Sequence, residues 1–159
     1  MKEWVVFLHV ASVLAFMLAH GVHISAMWAM RAEPDPERML TFFNIVPTVR
    51  SLRALLGAVI ATGVAAGFLA ESWDQLWIWA SLLLLAGISV VMWLFGGTYY
   101  GLMQQAAEAA VAARSAEPPD PAPQAAYDAV RGSWHTVGVS AVGVAGLALI
   151  LWLMMFKPF

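Results

Sequence analysis

The side chains best equipped for chemistry in this chain are four imidazoles, His9, His20, His23 and His135. Three of them fall in one apolar run, "FLHVASVLAFMLAHGVHISAMW". An imidazole among hydrocarbon is costly, so its presence there points to a partner or a task. On an α-helix at ~100° per residue, His9 to His20 returns within about 20° of one direction, and His9 to His23 within about 40°. The three rings therefore share a stripe, and a stripe of costly residues is expected to face other helices and not lipid.

Two ligand chemistries suit that stripe. The first is a b-type haem (haem b) held between facing helices, because imidazole is a common axial ligand and bundles build such sites between helices. His23 and His135 are the expected axial pair, with His20 as the substitute; their depths differ by about 6 Å, which helix tilt can absorb. His9 lies nearer the other end of its helix, and no second histidine stands at that level in the last span, so one haem is the expectation. Another would take Met154 or Met155, an external ligand, or no second ligand. The second chemistry is copper, since His20, Met17 and Met27 lie close on one helix and thioether with imidazole suits Cu(I). Simpler roles exist for the same residues. His135 can act as an interfacial, solvated or capping group. His9 can bond a backbone carbonyl or a hydroxyl such as Ser12 or Ser140.

Other chemistries lose their footing. The chain has no cysteine, which removes disulfides, thiolate metal sites and iron–sulfur clusters. No Asp, Glu, Lys or Arg lies deep in an apolar run, so proton relays and ion-coupled transport lack their usual stations. No zinc-protease or nucleophile-elbow motif and no phosphate loop occurs, and no catalytic residue is assigned. The formal net charge of −2 comes with no basic cluster that would suit nucleic acid.

The elements that must position the histidines are membrane helices. Apolar residues make up 62% of 159 positions and charged ones 11%, more than a soluble domain of this size can hide from water. Four runs reach or approach the ~20 residues a bilayer core demands, at about 4–30, 52–70, 76–103 and 134–156. They predict an all-α integral membrane protein, an antiparallel up-down four-helix transmembrane bundle forming one domain over 1–159. The first run is too long for a signal-peptide core and ends in "RAEPDPER", so it reads as a retained helix. Arg31, Arg38, Arg50 and Arg53 flank the first loop, and Arg114 and Arg131 the third. Lys2 and Lys157 lie opposite. The bias predicts both loops in the cytoplasm and both termini outside. Trp4 and Trp28, Trp77 and Tyr99, and Trp134 and Trp152 are spaced roughly 27–36 Å apart as interfacial anchors.

Small residues in "GVAAG" and "VGVSAVGVAG" predict close helix contact. "GLMQQAAEAAVAAR" is expected to continue the third helix beyond the membrane on good helix formers. The proline-rich stretch at 115–125 is expected as a linker on the cytoplasmic side, and "AAYDAVRG" as a short helical lead into the last span.

With "FLHVAS" in view, the first helix resembles copper-resistance D and cytochrome-b561-like membrane domains, although their common tryptophan-glycine continuation is absent. In "AHGVHISAMWAMRAEPDPERM" and "WIWASLLLLAGISVVMWLFGGTYYGLM" the chain is similar to bacterial four-span proteins of the DUF2269 type, a likeness that extends over most of its length. The resemblance implies a four-helix fold in a bacterial inner membrane, with haem or metal affinity at His9, His20 or His23. The expected function is electron transfer through one haem, in contact with the lipid bilayer and with a second redox or membrane subunit or another copy of the chain. The alternative is a cofactor-free anchor or accessory subunit of a larger membrane complex, and the third reading is a copper-binding membrane protein.

Overall fold

Long apolar runs without two-residue alternation leave the backbone one way to satisfy its own polar groups in lipid, the α-helix. A computed structural model, which describes residues 2–45, 49–116, 118 and 120–158, is helical throughout apart from its connections. The side chains of residues 44, 45, 49 and 50 lie outside the description, and with them the expectation placed on Arg50. In chain order the helices are α1 (Lys2–Ala32), α2 (Pro36–Ile45), α3 (Val49–Leu69), α4 (Leu76–Val91), α5 (Gly97–Arg114), α6 (Ala122–Gly132) and α7 (His135–Phe156). A π-helical turn, Met92–Gly96, joins α4 to α5 without a break.

Four of these stretches are long and apolar enough to cross a membrane: α1, the described part of α3, α4 through α5, and α6 through α7. The protein is an all-α, antiparallel, multi-pass membrane bundle with extensive apolar surface available to lipid. Its packing is paired. In the spanning region α1 lies against α3 and α4 against α7, while α1 meets α7 only sparingly.

At the end where loops 1 and 3 emerge, the pairs are tied together. Here α2 packs on α5, and α5 on α6. The apolar core sits here, with Met30, Met39, Met103, Ala107 and Tyr127 all at most 1% exposed. The Tyr127 hydroxyl donates to the Glu33 carbonyl at 2.7 Å, and Thr136 donates to the Tyr99 hydroxyl at 3.0 Å. Arg31 donates to the Arg131, Gly132 and Ser133 carbonyls at the end of α6, and Arg131 returns a bond to the Arg31 carbonyl at the end of α1. Each guanidinium satisfies orphan carbonyls of the other helix. Two of the arginines read as topology signals thus also fasten this junction.

Helix α2 was not expected. Its start is nonetheless written in the sequence: Asp35 accepts the Glu37 N–H, and Pro36 occupies the first turn, where its missing N–H costs nothing. The linker also starts its helix early. Asp120 accepts the Ala122 N–H, and α6 begins inside 115–125, with Pro123 tolerated in its first turn. The continuation of the third helix to Arg114 follows expectation.

Candidate functional site

Hydroxyls inside the spans mostly return a bond to the carbonyl one turn back. Ser12, Thr62, Ser81, Ser89 and Thr98 all do so at 2.5–2.8 Å. That solution is open to a short side chain with a hydroxyl. Against this background, unpartnered buried polar atoms mark exceptions: both ring nitrogens of His20, Trp73 Nε1, the Tyr100 hydroxyl and Ser140 Oγ.

His20 and Tyr100 line one cavity of about 210 Å³ between the α1–α3 and α4–α7 pairs. The cavity is predominantly apolar and takes polar groups from several helices: His20 and His23 from α1, Arg53 from α3, Ser89 from α4 and Tyr100 from α5. Its location follows from the packing, because tightly joined pairs leave a seam between them.

The π-helical turn shapes one wall. The Gly97 N–H bonds the Met92 carbonyl, one residue farther back than in an α-helix. Met92, Trp93, Gly96 and Gly97 of this segment all line the cavity. Such bulges are frequent at functional sites because the extra residue re-aims the side chains that follow it.

Glycines supply sockets. A Cβ at Gly143 on α7 would lie 2.5 Å from the Met92 methyl and 2.7 Å from His20 Nε2. The absent side chain is what admits both groups. Gly63 on α3 likewise receives His9, and Gly67 receives Trp73. The small residues read as close helix contacts serve here to seat rings and a thioether from neighbouring elements.

The two inner histidines differ in a way that bears on ligation. The His20 ring stacks on Phe16, with centroids 5.8 Å apart and planes at 16°, and neither nitrogen is bonded. His23 is 7% exposed and places Nδ1 3.2 Å from the Ala19 carbonyl. Only a protonated Nδ1 can donate to a carbonyl, so that bond leaves the lone pair on Nε2, the arrangement that second-shell carbonyls impose on ligating histidines. Nε2 has no hydrogen-bond partner among the described residues.

The other sequence candidates are placed apart. His9 lies 3.2 Å from Thr62 Oγ1; since Thr62 donates to the Ala58 carbonyl, the histidine Nδ1–H donates to the threonine. The expected hydroxyl partner exists, but it comes from α3 and is neither Ser12 nor Ser140. His135 stacks on Tyr99 and Trp134, contacts Ser133 Oγ at 3.3 Å, and does not line the cavity. The structure therefore does not bring His135 to the cavity that His23 lines. The chain leaves helical geometry at Ser133 before α7 begins, and the His135 ring there lies stacked between Tyr99 and Trp134.

Met27 is buried and lines the cavity, whereas Met17 is 38% exposed and does not. The copper set of Met17, His20 and Met27 is thus divided between cavity and outer surface. Among the described residues, no group of three His, Cys, Asp or Glu side chains converges to hold a metal ion. Sequence reasoning missed Arg53, Ser89, Met92 and Tyr100. Only the "FGG" of residues 95–97 hinted at an irregular turn beside them.

Comparison with known protein families, curated proteins and solved structures returns no match.

Proposed function

We propose that the chain is a membrane-embedded b-type haem protein that carries electrons, with its haem seated between the α1–α3 and α4–α7 pairs. The observation that carries this reading is the pair of imidazoles, one with Nε2 prepared as a lone-pair donor and the other with two unbonded nitrogens. Leaving a buried polar group unsatisfied costs about 1–3 kcal/mol, and a ligand removes that cost. A bare metal ion needs several protein donors, and no such cluster converges among the described residues. A metal that arrives with four ligands of its own needs only one or two imidazoles. The likeness of α1 to cytochrome-b561-like domains supports the same reading.

The donor set fits haem; the volume fits only in part. About 210 Å³ is below the ~300–1,000 Å³ usual for drug-sized ligands. Seating a macrocycle requires the two helix pairs to part, and the sparse α1–α7 packing offers little resistance. His23 would hold the iron, with His20 one turn away as the alternate ligand. Phe16, Met92 and Leu147 would flank the ring and exclude water. Bound there, haem would supply one-electron transfer. His135 is left an interfacial role beside Tyr99 and Trp134.

The setting we propose is a bacterial inner membrane with loops 1 and 3 in the cytoplasm and both termini outside. Electrons would pass to or from a second redox or membrane subunit or another copy of the chain.

Purification in mild detergent with absorption spectroscopy tests the reading. A Soret band and a sharp reduced α-band are expected, lost or shifted in His23→Ala and retained in His135→Ala. A colourless protein would favour the anchor or accessory subunit. Copper in metal analysis without a Soret band would favour the copper reading.

A further inference from the structure

The cavity does not end at the histidines. It runs toward the loop end of the bundle, where Arg53, near the start of α3, lines it together with Tyr100 on α5. Arg53 is the one cation among the lining residues. It makes no ion pair among the described residues, although its loop-end neighbours Arg38, Arg114 and Arg131 each pair with an aspartate. Tyr100 is held edge-on by Phe43, with ring centroids 5.9 Å apart, while its hydroxyl is buried without a partner. An unpaired guanidinium on an exposed side chain and a buried, unbonded hydroxyl at one end of a predominantly apolar cavity form a polar pole able to donate to a ligand.

We infer that Arg53 and Tyr100 grip an acidic group of the ligand, a carboxylate, and so orient it with that group toward the loop end and its apolar body toward His20 and His23. A guanidinium and a hydroxyl both donate, and a carboxylate only accepts; charge-assisted bonds of this kind are the strong ones. The inference rests on the proposed haem, whose two propionate carboxylates are its only acidic groups and whose macrocycle is apolar. It adds a direction, with the propionates toward the loops, and two residues besides the histidines that would hold the group. An arginine near a membrane interface can also serve lipid phosphate alone, so the test must separate the two.

The test titrates the full chain in mild detergent with haemin and with haemin dimethyl ester, in which both carboxylates are masked, following the Soret band. The wild-type chain is expected to prefer haemin over the ester by about tenfold, the worth of one charge-assisted hydrogen bond. Arg53→Gln should erase most of that preference and Arg53→Lys retain much of it. Tyr100→Phe, which removes one oxygen atom and leaves the packing against Phe43, should reduce it several-fold. Equal binding of haemin and ester by the wild-type chain, or an undiminished preference in Arg53→Gln, overturns the inference and leaves the arginine to the lipid; if His23→Ala still loses binding, the haem reading stands. Failure of the wild-type chain to bind either compound overturns both.

Discussion

The loop end of the molecule and its membrane cleft are built from the same helices on opposite terms. At the loop end, fully buried side chains interlock: Tyr127, Met30, Met39 and Met103 fill one core, and each buried hydroxyl named there has a partner. In the cleft, imidazole nitrogens and a phenol lie buried without partners around empty space. Water is near the loop end, so apolar burial drives packing there. Between membrane helices that drive is absent, since lipid is as apolar as leucine, and association rests on fit and on polar contacts. A region held by fit alone can keep a seam. The contrast teaches that the loop end, a cap on the bundle, carries stability, while the cleft keeps room and unpartnered polar atoms.

Substitutions can break or sharpen that division. The largest effect is expected at Tyr127→Ala, which empties the centre of the cap and costs about 3–5 kcal/mol, as aromatic truncations in cores do. Unfolding in detergent should show a large fall in midpoint; a small one would mean that the cap is not the stable part.

In the cleft the sign reverses. His20→Leu removes two unpartnered nitrogens from an apolar surrounding and should stabilise the ligand-free chain by about 1–3 kcal/mol while weakening the haem binding proposed above. Destabilisation instead would show that His20 is structural and not held ready for a ligand.

Glycine substitutions sharpen the comparison within the spans. Gly143→Ala drives a methyl group into His20 and Met92 and should cost about 1–3 kcal/mol as overpacking. Gly57→Ala meets nothing within 4 Å and should gain up to about 1 kcal/mol of helix propensity. Thermal midpoints of the two variants should move in opposite directions.

The smallest effect belongs to the surface of the cap. The Arg114 guanidinium donates to Asp35 at 2.8 Å and, with the Glu37 amide and Arg38, holds its carboxyl below the ordinary 3.8. A carboxyl whose pKa is depressed in the folded state stabilises above its unfolded value, and that contribution fades as pH falls through the folded value. Stability measured from pH 6 down to pH 3 should therefore fall less steeply in Arg114→Gln than in the wild-type chain. Parallel profiles would mean that the pair contributes nothing, a common result for exposed ion pairs.

Much of the frame was legible because membrane helices announce themselves by length and hydropathy alone. The four spans, the antiparallel order and the inward-facing stripe of α1 needed no knowledge of neighbours. Helix α2 was legible in principle: Asp35, Pro36 and Glu37 spell a helix start, but "RAEPDPER" read as loop because of its charges and prolines. The candidate site was half legible. His20 and His23 could be singled out by cost, whereas Met92 and Tyr100 look like ordinary apolar and interfacial residues until the π-helical turn aims that part of the chain at the cavity.

Sequence alone determined that this chain is a set of lipid-soluble helices, because backbone polar groups in hydrocarbon allow no other open-chain solution. It also determined which polar residues are too costly to lie there without reason. Only the tertiary structure decided which helices pair, and hence that His20 and His23 share a cavity while His9 bonds Thr62 and His135 stacks beside Tyr99. Helical periodicity fixes the direction of a side chain relative to its own axis. The rotation of one axis against another is set by knobs and sockets such as His20, Met92 and Gly143, which exist only once the helices have met.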